Sequence, residues 1–207
     1  MRALKPLFLS LFILATLLQP LLAMGHLADI YPYNASSISV IVGGLEDGQL
    51  NSTFTVDGDW YNVSEVAGTP GLDIRFNFTG VTGDPISGCI DIYHTYQGHS
   101  QHEVVIQVRN FTSGTWYQIG TIIYNETAGW ECSGLGKDPG HFFINGTMWA
   151  RFYHEALGHA PHELQLDDID LNVALAYDLP ATGKYYAMAI ILLILGLLLG
   201  IGMRRKR

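Results

Sequence analysis

Positive charge is almost missing from the body of this sequence. All nineteen acidic residues lie between Asp29 and Asp178, where only Arg75, Arg109, Lys137 and Arg151 oppose them, a net of −15 for that stretch. Such an anionic surface excludes nucleic acid as a partner, because binding it needs cationic groups that displace phosphate counterions. Sustained helical periodicity is missing too: between Gly25 and Asp178 no run repeats apolar residues at helical spacing, which argues against an α/β enzyme fold. Nothing resembles a nucleophile with its base, a phosphate loop or a cofactor fingerprint, so no enzyme is expected. Cysteine is limited to Cys89 and Cys132. Aromatic residues are not scarce, at 12% of the chain, and that excludes disorder.

The two ends are apolar and specify an address. Residues 1–23 read as a secretory signal: Arg2 and Lys5 supply the positive start, residues 7–18 are almost wholly apolar, and Pro20 breaks the helix before a cleavage point at Ala23. Leu21, two positions before that point, is larger than the usual small residue, so an uncleaved anchor is the alternative; either route exports the chain. Residues 24–178 form an ectodomain able to bury one core. Residues 179–184 are a linker and residues 185–203 an uncharged span, long enough for a hydrocarbon layer of about 30 Å. Tyr185 and Tyr186 suit the interface, and the basic tail 204–207 holds its end in the cytoplasm. The expected product is a single-pass protein of the cell surface with the membrane as one partner.

The linker spells Leu179-Pro180-Ala181-Thr182-Gly183, followed by the apolar span and the basic tail. In that order and spacing it resembles the LPxTG sorting signal of surface proteins anchored by sortase. The resemblance implies a sortase-like transpeptidase as partner, with Thr182 as acyl donor, Gly183 as leaving amine, and Leu179 and Pro180 read by the enzyme. The alternative is a juxtamembrane linker on a protein that stays in the membrane. Seven of eight asparagines, Asn34, Asn51, Asn62, Asn77, Asn110, Asn125 and Asn145, stand in N-x-S/T, where chance would place about one. Dense N-glycosylation at exposed positions is therefore expected, and it points to an archaeal-type surface.

Within the ectodomain, short alternating β-rich runs recur with turn signals every 8 to 14 residues, at residues 37–42, 71–78, 89–96, 103–109, 116–124, 148–154 and 163–171. Gly-Gly, Asp-Gly, Ser-Gly and Asn-Gly pairs separate them. An all-β antiparallel sandwich or jelly roll is expected. Cys89 and Cys132 are expected to pair as a disulfide outside the cell, the alternative being two free thiols.

An internal repeat stands out. Residues 93–104 (YHTYQGHSQHEV) and 153–164 (YHEALGHAPHEL) align Tyr93 with Tyr153, His94 with His154, Gly98 with Gly158, His99 with His159, His102 with His162, and Glu103 with Glu163. Each block is a strand, a turn and a returning strand. By strand parity His94 and His154 point to the core edge as neutral imidazoles bonded to loop backbone. His99, His102, His159 and His162 lie in the turns, and if the turns are neighbours four imidazoles converge. That set suits Zn²⁺, Cu²⁺ or Ni²⁺, with Glu103 or Glu163 as second-shell acceptors; the alternative is that each histidine orders its own turn. The run from His154 to His159 is one residue too long for the HExxH helix of zinc proteases, and Gly158 and Pro161 oppose a helix. Asp57 with Asp59, and the cluster Asp167, Asp168 and Asp170, are candidate Ca²⁺ ligands or plain turn and strand-end residues. Trp60, Tyr61, Trp116, Tyr117, Trp130 and Trp149 could stack on sugar rings or fill a core.

Two further stretches carry a family likeness: residues 57–65 (DGDWYNVSE) and 70–76 (PGLDIRF), followed by the Gly98/His102 and Gly158/His162 turns. Over residues 55–173 they resemble jelly-roll-like β-sandwich modules of phage structural and secreted surface proteins, with His99 and His159 where that pattern carries asparagine. The resemblance implies a non-catalytic binding or structural module. The expected function is adhesion, recognition (carbohydrate among the ligands) or envelope structure. A surface metal-binding protein is the alternative, and a metal-dependent hydrolase comes third. Adhesion predicts an exposed aromatic patch free of sequons; metal binding predicts imidazoles within ligation distance.

Overall fold

A computed structural model describes residues 29–176. The expected signal (1–23), the LPATG linker, the apolar span (185–203) and the basic tail lie outside the described residues. Among those described, no helix is long and apolar enough to cross a membrane.

The described residues form strands β1 (Asp29–Asn34), β2 (Ser37–Val42), β3 (Gly44–Asp47), β4 (Tyr61–Ser64), β5 (Leu72–Phe78) and β6 (Pro85–Tyr96). They continue with β7 (Glu103–Asn110), β8 (Thr115–Ile123), β9 (Asn125–Gly134), β10 (Phe143–Ile144), β11 (Thr147–His154) and β12 (Glu163–Leu175). All pairings are antiparallel and build two sheets. The first runs β3-β4-β12-β6-β9, with β1 also on β12; the second runs β2-β5-β11-β7-β8, with β10 on β11. The edge of β12 away from β6 is shared: β4 pairs with Glu163–Leu166 and β1 with Asp170–Leu175.

Alternation makes the core. On β11, Met148, Ala150, Phe152 and His154 turn inward; on β7, Val104, Ile106 and Val108; on β6, Ile90, Ile92 and Tyr96, all buried. Leu164, Leu166, Ile169, Leu171 and Val173 of β12 meet them from the first sheet. Between Leu166 and Ile169 the parity slips by one at a bulge that puts Asp168 opposite Tyr93 on the outer face. Each expected run is a strand here, and β2 has the expected bounds. β9 was not foreseen: its sequence NETAGWECSG has little β-branched content and no clean alternation.

Candidate functional site

The repeat in the sequence is a repeat in the structure. β6 belongs to the first sheet and β7 to the second, while β11 belongs to the second and β12 to the first. Each repeated turn therefore crosses between the sheets. Because β6 pairs with β12 and β7 with β11, both antiparallel, the two turns emerge side by side at one end of the sandwich. They close alike: the His102 N–H donates to the His99 carbonyl at 2.8 Å and the His162 N–H to the His159 carbonyl at 2.7 Å. The recurring glycine has a steric cause in both. A Cβ at Gly98 would sit 2.5 Å from the Tyr96 ring, and one at Gly158 would sit 2.3 Å from the Val66 carbonyl oxygen and 2.6 Å from the Gly71 Cα.

Imidazoles converge where the turns meet. The His102 ring centroid lies 4.9 Å from His154, 4.9 Å from His162 and 5.2 Å from His159. Beneath them is Glu65, just past β4, with its side chain fully buried. It accepts hydrogen bonds from the Tyr96 hydroxyl and, at 2.8 Å, from the His159 backbone N–H. Its Oε2 lies 3.4 Å from His162 Nδ1 and 3.9 Å from His102 Nδ1, neither of which makes a hydrogen bond. His154 Nδ1 is 2.8 Å from the Glu103 carbonyl; a carbonyl only accepts, so this nitrogen carries the proton. His154 Nε2 is buried and without a partner. Burial, aided by His154, His162 and His159, holds His102 below the usual histidine range against the pull of Glu65. Ligand atoms of Glu65, His102 and His154 lie within 4.8 Å of one another, and His162 Nδ1 adjoins the Glu65 carboxylate.

The four histidines of the expected ligand set occupy different positions. His102 and His162 are in the cluster, but His99 and His159 are exposed at its rim. His99 Nδ1 accepts from the Gln101 N–H at 3.3 Å, and His159 contributes its backbone N–H to Glu65. His154 was expected to be satisfied by loop backbone; one nitrogen is, and the other faces the cluster. Glu103 reaches the cluster through its backbone carbonyl rather than its carboxylate, while the Glu163 carboxylate accepts from Gln165 at 3.2 Å. Glu65 was missed altogether, yet a signal existed: Tyr61, Val63 and Glu65 share one strand parity, and an acid at the end of an apolar face needs a partner. His94 does not mirror His154. It lies inside the first sheet, 3.5 Å from Glu131. Burial lowers its pKa to about 4 and raises that of Glu131.

The remaining candidates are dispersed. Cys89 and Cys132 are free thiols on the outer face of the first sheet. Cys89 stands opposite Gly134 and Cys132 opposite Asp91, so the cysteines are diagonal neighbours. Their sulfur atoms lie within 4.8 Å of each other and of an Asp91 carboxylate oxygen. Burial and the contact with Cys132 push the Cys89 thiol up. The Asp167 carboxylate accepts the Gly58 N–H at 3.1 Å, Asp57 accepts the Asp59 N–H at 2.9 Å, and Asp59 accepts from the Ser52 hydroxyl at 3.0 Å. Those acids staple a turn to β12. None of the seven sequon asparagines is buried; Asn34, Asn51 and Asn145 are exposed and the other four half-buried.

The aromatics divide between two outer faces, except Tyr61, which is core, and Tyr117, which is exposed with its ring against Phe142. On the first sheet Tyr93 stacks on Trp60 at 5.9 Å and meets Trp130 at 5.3 Å, and Trp130 is 60% exposed. None of the register neighbours of Tyr93 or Trp130 is a sequon asparagine; Asn62 lies on the Trp60 side. Asp91, Asp168, Asp170 and Asn172 line the same face. Burial, then Asp170, Asp167 and Asp91, raise the Asp168 carboxyl to about 6, and the Oδ1 atoms of Asp168 and Asp170 have no hydrogen-bond partner. On the second sheet a shallow cleft of about 260 Å³ is lined by Ser37, Ser39, Arg75, Asn77, Trp116 and Trp149. There Arg151 covers Trp116 at 4.7 Å, with Arg75 and Arg109 each at 5.7 Å, so three of the four basic residues of the acidic stretch crowd one ring.

No protein-family model matches the chain, and no curated protein matches it. Among solved structures it is similar to CBM29_1, a family 29 carbohydrate binding module from Piromyces equi, at 9% identity over 76% of this chain and 99% of that one, with a TM-score of 0.47. A mutant of a family 29 module gives 14% identity over 74% and 97%, TM-score 0.46. A CBM29-2 mutant complexed with cellulohexaose gives 13% over 73% and 96%, TM-score 0.46. No family assignment follows from them.

Proposed function

We propose that residues 24–178 form a non-catalytic recognition module that binds carbohydrate on the outer face of the first sheet. The observation that carries this reading is the row Trp60, Tyr93 and Trp130, at 5.9 and 5.3 Å, on a face that otherwise carries mainly polar side chains. A sugar has an apolar face that stacks on rings and hydroxyls that hydrogen-bond to polar groups beside them, and this face offers both kinds of group. The second sheet serves this role less well. Its Trp116 is covered by guanidinium groups, and Asn77 in its cleft is a sequon. The exported start, the seven sequons and the apolar span support display at a cell surface. A sortase-like enzyme, if it acts on this chain, would cut between Thr182 and Gly183.

The test is a glycan array probed with the full chain in detergent. Trp130→Ala is expected to weaken binding at least about tenfold, or ~1.4 kcal/mol, while Trp149→Ala on the other face leaves it unchanged. Equal binding by wild type and Trp130→Ala, or a loss confined to Trp149→Ala, would overturn the assignment.

A further inference from the structure

We propose that Glu65, His102, His154 and His162 hold one divalent transition-metal ion, with zinc the best match, at the end of the sandwich where the repeated turns meet. This site is independent of the glycan face and stands or falls without it.

Three observations carry the inference. The first is convergence: one ligand atom each from Glu65, His102 and His154 lies within 4.8 Å of the others. The Glu65 Oε2 to His162 Nδ1 distance of 3.4 Å already matches the edge of a tetrahedron with bonds of about 2.0–2.1 Å. The second is unspent bonding capacity. His102 Nδ1, His162 Nδ1 and His154 Nε2 are all buried without a hydrogen-bond partner, although a buried polar atom normally has one. His154 and Glu65 are 2% and 1% exposed, so solvent does not satisfy them.

The third is orientation from outside the cluster. The Glu103 carbonyl fixes the His154 tautomer so that Nε2 points inward, which is how a second shell prepares a metal-binding histidine. The Tyr96 hydroxyl and the His159 N–H hold the Glu65 carboxylate in place. Three imidazoles and a carboxylate form a four-donor set that suits zinc; without thiolates it does not select for Cu(I). The cluster Cys89, Asp91 and Cys132 also brings its donor atoms within 4.8 Å, but it is partly exposed and the Cys89 thiol already donates to Asp91.

The experiment uses the full chain purified in detergent without a histidine tag, incubated with Zn²⁺ or Co²⁺ and then dialysed. One ion per chain by elemental analysis, a raised unfolding temperature and the intense visible absorption of four-coordinate cobalt are expected. The double variant His99→Gln/His159→Gln should keep the ion, and His102→Gln should lose it. If His102→Gln fails to fold, the wild-type cobalt spectrum decides, since it needs no variant. Absence of bound ion, a weak six-coordinate cobalt spectrum, or loss of the ion from the His99/His159 variant would each overturn the site.

Discussion

Glu65→Ala should lower the stability of the purified chain by about 3–5 kcal/mol, the range for removing one partner from a buried charged network. The carboxylate is fully enclosed, so its loss leaves the Tyr96 hydroxyl, itself buried, and the His159 N–H without acceptors. Unmet buried donors cost more than the bonds they lose, and the deleted side chain leaves a cavity besides. Glu65→Gln keeps the shape and one acceptor oxygen, so its loss should fall between wild type and alanine. Urea unfolding of the metal-free full chain in micelles, followed by tryptophan fluorescence, measures both. A loss under about 1 kcal/mol for Glu65→Ala, as for an ordinary surface residue, would contradict the buried network.

Acid should destabilise the fold through His94. Its folded pKa of about 4 lies below the ordinary histidine value of about 6.5, so between those values the unfolded chain binds a proton that the folded chain refuses. Its contribution to stability is therefore complete above about pH 6.5 and falls as the pH drops toward 4, by roughly 3 kcal/mol once the window is crossed. Asp168 works in the opposite sense. Its carboxyl, raised to about 6, keeps a proton in the folded chain that the unfolded chain has lost, so its contribution is present in acid and fades as the pH rises through 6. The two windows overlap, and His94→Gln separates them because glutamine does not titrate. The two shifts are of similar size, so unfolding temperatures from pH 4 to 7 should be nearly flat in wild type and rise toward acid in His94→Gln, where only Asp168 remains. Equal slopes in the two proteins would show that His94 is already charged in the fold.

The sequence disclosed most of the longer strands whose side chains alternate, and missed short ones such as β4 and irregular ones such as β9. β2, β5, β7 and β11 carry period-two patterns because one face meets the core. β9 is held by its register with β6, a long-range pairing with no local signature. The repeated histidines were legible as a pair of turns, and the crossing of both turns between the sheets explains why they converge. Choosing among the six was harder. Parity predicted that His154 points inward, but not that one nitrogen would be bonded and the other left facing Glu65. His94 has the same parity and an apolar neighbourhood of its own because its strand lies in the other sheet. The cysteine pairing followed from count and compartment alone, and register is the information those lack.

Four tryptophans make the central claim accessible to one measurement, since each indole N–H gives its own proton–nitrogen NMR signal. A bound oligosaccharide from the array should be titrated into the labelled full chain in micelles. The signals of Trp130 and Trp60 should shift together and saturate, while those of Trp116 and Trp149 stay in place. Saturating shifts at Trp116 and Trp149 with none at Trp130 would contradict the glycan face assigned to the first sheet.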